Sequence, residues 1–181
     1  MLAMRRPNDA DIARRAESLD ALAATPADRG GSGSIEEAIG WGLKRFERAS
    51  HALKRLEQFN LPGTSLAPRI RATEGARSLI VGRRLGLWTL GPFEVTSVTE
   101  TETSMVVEIT TLEGHPLAGT ERFELVRHPN GIVRLGIHAS STPTAWWSRI
   151  GLPVIRWQQR RYRKAALDHF RRVTGRPSLD R

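Results

Sequence analysis

His115, in the run Gly114-His115-Pro116, and Glu121 six residues on are the pair best suited to acid–base work. An imidazole titrates near neutrality, and a neighbouring carboxylate sets its tautomer and steadies its charged form. The run lies between strand-like stretches, and loops on a rigid sheet carry function more often than the strands do. The same two residues also suit a structural role, in which the ring braces a hairpin and Glu121 accepts a backbone amide. The remaining histidines, His51, His128, His138 and His169, lack metal-ligand spacing, so no metal is expected. Ser104, Ser140 and Ser141 are not in a nucleophile elbow, and the absence of Cys removes thiol chemistry. Gly82-Arg83-Arg84-Leu85-Gly86 lies in a strand-like stretch rather than before a helix, against a phosphate loop. No cofactor is expected, and the leaning is away from an enzyme.

A second set of residues suits binding. Residues 144–181 hold ten Arg or Lys against Asp168 and Asp180, which is +8 of the net +9. At 100° per residue, Val154, Ile155, Gln158, Tyr162, Ala165, Ala166, His169, Phe170 and Val173 fall on one side of a helix. Arg156, Arg160, Arg163, Lys164 and Arg171 fall on the other, with Leu167 among them and Trp157 alongside. Gln158, Tyr162 and His169 bring polar tips to the face that should meet the sheet. They suit fixing a ligand's polar group, with His115, Glu121 and Phe170 completing the lining. The opposite face, with Trp157, Arg160, Arg163, Lys164 and Arg171, has three readings. It is a solvated face with Arg161 or Arg156 stacked on Trp157, an anionic-membrane surface, or a phosphate-contacting surface. No base-reading motif accompanies the charge, so nucleic acid ranks below the membrane.

The elements that position these residues follow from periodicity. Ser34 and Glu37 read as a capping box. Ile35, Ile39, Leu43, Phe46, Ala49, Leu53 and Leu56 then give one apolar stripe of a helix ending at Asn60-Leu61-Pro62-Gly63. From residue 78 the period becomes two: Leu79–Val81, Phe93–Thr99, Met105–Thr110, Arg122–Leu125 and Val133–Ala139. Strands with one polar face predict an antiparallel meander. Pro129-Asn130-Gly131 and Glu100-Thr101-Glu102-Thr103 supply its tight turns. Thr142 and Pro143 predict a short helix to about residue 150, a kink at Pro153, then a long helix to about Val173.

Residues 1–33 read as an appendage. Their candidate helix offers only Ile12, Leu19 and Leu22, and Asp28-Arg29-Gly30-Gly31-Ser32-Gly33 has linker composition. The expected organisation is a tail or weakly docked helix over 1–33, one α+β domain over 34–175, and a short tail over 176–181. No apolar run nears the roughly 18 residues of a membrane span. No secretory signal is read at the N-terminus, so a soluble cytoplasmic protein is expected.

Two stretches carry a family resemblance: Gly114-His115-Pro116 with Gly119, Glu121 and Phe123, and Ser140–Tyr162 with Pro143, Trp146, Pro153, Gln158-Gln159 and Tyr162. With Gly40-x-Gly42-x-x-x-Phe46-x-x-Ala49 they resemble uncharacterised protein family 0548 over about residues 38–172. This family is also known as the domain of unknown function nineteen-ninety. The resemblance implies a helix-grip fold, similar to lipid-transfer (START-like) and pollen-allergen domains, in which a curved antiparallel sheet grips a long C-terminal helix around a cavity. Thr120 stands where the family usually has an acidic residue before Glu121, and residues 1–33 replace an aromatic, glycine-rich entry segment. The functional expectation is a non-catalytic module holding a small hydrophobic or amphipathic ligand between sheet and helix. The alternatives are a peripheral membrane protein and an enzyme built on His115 and Glu121.

Overall fold

The computed structural model describes residues 2–26, 31–84, 87–143 and 152–175. Its elements run β1 (Leu2–Ala3), α1 (Asp9–Glu17), β2 (Gly31–Trp41), α2 (Leu43–Lys54), β3 (Thr64–Ala67), β4 (Arg77–Arg84), β5 (Leu87–Glu100), β6 (Ser104–Thr111), β7 (Leu117–Arg127), β8 (Ile132–Pro143) and α3 (Leu152–Gly175). All strand pairings are antiparallel, in the order β2-β8-β7-β6-β5-β4-β3, with β1 added beside β5. Bulges at Ala38/Gly40 and Val95/Ser97 bend β2 and β5, as one extra residue in a strand does.

The meander forms as its alternation predicts. Gly131 takes φ +84° at the β7–β8 turn, and the Thr101 hydroxyl sits 2.8 Å from that of Ser104 at the β5–β6 turn. On the inner face, Phe93, Val95, Met105, Val107, Ile109, Phe123, Leu125, Val133, Leu135 and Ile137 form one core. Phe46, Ala49 and Leu53 of α2, Phe59 of a 3₁₀ turn (Glu57–Phe59), and Ala166, Leu167 and Phe170 of α3 close it. Phe59 is its hub, with ring centroids 5.4 Å from Phe93 and 5.9 Å from Phe123.

Three expectations are corrected. Residues 34–41 are strand, not the first turns of a helix. Ile35 and Ile39 stand four apart, a spacing that fits both a helical stripe and one face of a strand. Pairing with β8 decides between them, and Gly42, at φ +88°, turns the chain into α2. Thr142 and Pro143 do not open a helix either; they extend β8 opposite Ala118 and Leu117. The expected short helix to residue 150, with Trp146 and Trp147, lies outside the described residues. The face of α3 is also turned: Arg163 and Leu167 are buried while Ala165 is exposed.

The N-terminal segment docks. Asn8 caps α1 through Asp11 N, 2.7 Å away. Ile12 and Leu19 then pack with Leu79, Val81, Leu90 and Leu112 on the outer face of the sheet. Arg77 anchors the exit, donating to the carbonyls of Leu19 (2.8 Å) and Leu22 (3.2 Å) while pairing with Glu94 at 2.6 Å. The boundary read between residues 33 and 34 falls inside β2. An isolated helix this short is unstable in water. Here the covered sheet supplies the missing stabilisation, about 1.5–3 kcal/mol for each large apolar side chain buried.

Candidate functional site

The strand register sorts the inner face into rows. Ile35 of β2, Ile137 of β8 and Phe123 of β7 lie side by side, and this row is apolar. The next row is Gly33, Ala139 and Glu121, and the one beyond is Gly31, Ser141 and Gly119. Apart from Glu121, every side chain in these two rows is small. The inner face therefore divides into a packed apolar half under Ala166–Phe170 and a low, polar half under the preceding turns of α3.

Two α3 residues reach down onto the low half. Gln159 Nε2 donates to Ser141 Oγ at 3.0 Å. Arg163, only 7% exposed, lays its guanidinium over Gly33, where a Cβ would come within 2.6 Å of Nη2. Gly33 is thus the residue that admits the guanidinium. Glu121 faces the same space from two strands away, with Ala139 between. Burial raises its carboxyl to about 7, against the opposing pull of Arg163.

His115 stands apart from Glu121. Its ring lies over Gly91 of β5, where a Cβ would meet it at 2.6 Å, whereas Glu121 is on β7. Two strand spacings, roughly 10 Å, separate those positions. Nδ1 of His115 lies 2.6 Å from the Leu117 carbonyl oxygen and 3.0 Å from its amide nitrogen. Burial lowers this imidazole to about 4, although the Leu117 contact favours its charged form. The geometry is that of a neutral ring bracing its own hairpin.

The polar trio of α3 is divided as well. Tyr162 stacks on Phe59, centroids 6.3 Å apart and planes at 19°, and Gln158 is half-buried nearby on the helix. His169 serves the other end: its Nε2 lies 3.4 Å from Glu57 Oε2. Burial alone would raise the Glu57 carboxyl, but contacts with Asn60, His169 and Arg55 outweigh it and hold the group low. Beside that pair is a surface groove of about 280 Å³, lined by Arg55, Phe59, Leu66, Arg69, Ile70 and Arg71 among others. Phe170 is wholly buried in the core.

The basic set read as outward is only partly so. Arg163 faces inward because Gly33 leaves it room and Glu121 supplies attraction. Arg171 pairs with Glu37 of β2 and with Asp168 at 3.2 Å, and donates to the Ala38 carbonyl at 3.1 Å. Trp157, Arg160 and Lys164 remain exposed, and Arg161 lies 4.8 Å over the Trp157 ring. Among the described residues no three His, Asp or Glu side chains are placed to hold a metal, and no helix is long and apolar enough to cross a membrane.

Sequence reasoning missed the two rows of small residues. The signal was present in Gly31-Ser32-Gly33, Gly119 and Ala139-Ser140-Ser141, but only the strand register shows that these stretches are neighbours.

A seven-strand antiparallel sheet, extended here by β1 and closed by a long C-terminal helix, defines a helix-grip protein. The structure of a hypothetical protein from Helicobacter pylori is similar, with TM-score 0.63 and 14% identity, covering 82% of this chain and 90% of that one. A Thermus thermophilus protein structure is similar at TM-score 0.55 and 16% identity, covering 80% and 97%. The chain belongs to the DUF1990 family, a domain of unknown function, which it matches over residues 22–169. A UPF0548 protein of Arabidopsis thaliana is 26% identical over 130 residues, 68% of this chain and 63% of that relative's length.

Proposed function

We propose that the protein is a non-catalytic binding module that holds a small hydrophobic or amphipathic molecule between its sheet and its C-terminal helix. The observation that carries this reading is the low half of the inner face. Ala139, Ser141 and Glu121 lie there, on strands flanked on both sides, yet each keeps partial contact with solvent. One row away, Ile137 and Phe123 keep none. A β-strand residue with neighbours on both sides gains exposure mainly through its side-chain face, which supports a reading of space above Ala139 and Ser141. That space adjoins an apolar wall and converging polar groups, the combination a small-molecule site requires.

The separation of His115 from Glu121 supports binding rather than proton transfer, because a general base must reach the proton it moves, directly or through one water. The test is native mass spectrometry of protein purified from its own host. A retained small molecule, lost on denaturation, is the expected result. Protein whose mass is that of the bare chain, and whose stability no amphiphile changes, would remove this reading.

A further inference from the structure

The low half of the interior holds more donors than acceptors. Among the described residues the Arg163 guanidinium, though buried, makes no hydrogen bond or salt bridge. Its five N–H donors therefore depend for acceptors on whatever occupies the adjoining space. Glu121 attracts this cation but is not hydrogen-bonded to it. Ser141 accepts from Gln159, which leaves its own hydroxyl proton to donate.

We propose that Arg163, Ser141 and Glu121 together form the head-group site for a small amphipathic carboxylic acid, which binds as its carboxylate. This rests on the ligand-holding reading above and adds the chemistry of the head. Arg163 presents a planar fork that matches a carboxylate with two parallel hydrogen bonds. Ser141 and the protonated form of Glu121 donate O–H groups to the same anion. An amine would set a second cation beside Arg163, and an alcohol would leave the guanidinium's charge unmatched. A dianion such as a phosphate monoester would carry one negative charge more than this single cation balances.

The proton on Glu121 gives the site a pH dependence. Among the described side chains of α3 the charged group facing Glu121 is Arg163. The flanking residues on β8 and β6, Ala139 and Ile109, carry no charge. His115, from the loop before β7, is neutral above about pH 4. Above about pH 7 Glu121 ionises, repels a bound carboxylate and competes for Arg163.

The experiment compares octanoate, 1-octanol and octylamine, each below its micelle concentration, by titration calorimetry on the full chain at pH 6 and pH 8.5. Octanoate is expected to bind at least about tenfold more tightly than octanol at pH 6, with octylamine weakest, since 1.4 kcal/mol of matched charge is a factor of ten. That preference is expected to shrink at pH 8.5 and to vanish in Arg163→Gln, with octanol affinity little changed. Should Arg163→Gln not fold, Arg163→Lys serves instead, with the wild-type preference and its pH dependence deciding. Equal binding of octanoate and octanol, or a preference that survives in Arg163→Gln, overturns the head-group assignment and leaves the ligand-holding reading standing. Failure of all three probes to bind also overturns the assignment, and the broader reading is then decided by the co-purification experiment.

Discussion

Glu121 makes the wild-type protein less stable as pH rises from about 4.5 to about 7, and Glu121→Gln should abolish that slope. The native carboxyl holds its proton up to about 7, whereas the unfolded chain releases it near 4.5. Between those values the native state binds more protons, so the stabilisation is complete below about 4.5 and lost as pH climbs through 7. Moving the carboxyl from 4.5 to about 7 corresponds to roughly 3 kcal/mol. For a domain of this size that is roughly 6–12 °C in melting temperature. The assay is thermal or urea unfolding of wild type and Glu121→Gln at pH 5 and pH 8.5. His115 titrates the opposite way: its lowered native value takes stability away as pH falls from 6.5 towards 4. It does so in both proteins, so its contribution cancels in the difference. Loss of the Arg163 attraction shifts the variant by an offset, which the slope does not contain. The stability gap should move in favour of the variant by about 2–3 kcal/mol between the two pH values. A gap that stays constant within about 0.5 kcal/mol would show that Glu121 is not held in a desolvated site.

Three further outcomes follow from the packing. Phe170→Ala empties a wholly buried site against Leu167 and the sheet; it should cost about 3–5 kcal/mol, read from the urea midpoint. Ile12→Ala with Leu19→Ala should release α1 before the rest unfolds, so limited proteolysis should cut within residues 9–26 while the sheet's circular dichroism persists. Glu37→Ala breaks a half-exposed pair with Arg171 and should cost under about 1 kcal/mol, with the difference from wild type fading in high salt.

The meander and its closing helix were legible because period two over β6 to β8 and the Pro129-Asn130-Gly131 turn point to the same arrangement. The first strand was not, because Ile35 and Ile39 satisfy two periods at once and only pairing with β8 distinguishes them. The docking of α1 was hidden for a related reason: Ile12, Leu19 and Leu22 are too few large apolar residues for an isolated segment, and their partners Leu79, Leu90 and Leu112 lie far along the chain. Glu121 was singled out from the sequence, but beside the wrong neighbour. Its charge partner, Arg163, sits where a helical wheel drawn on side-chain polarity assigns it to water. The guanidinium goes inward because glycine at position 33 leaves room, which only the strand register could show.

Because α1 rests on β4, β5 and Leu112, it leans on parts of the chain made much later. Its landing surface is complete only once Leu112 has been made, so α1 should settle last in folding and leave first when the fold loosens. The outer face of β4 and β5 then passes through a stage in which Leu79, Val81 and Leu90 meet water. The yield of folded protein should depend on how quickly this short helix finds them.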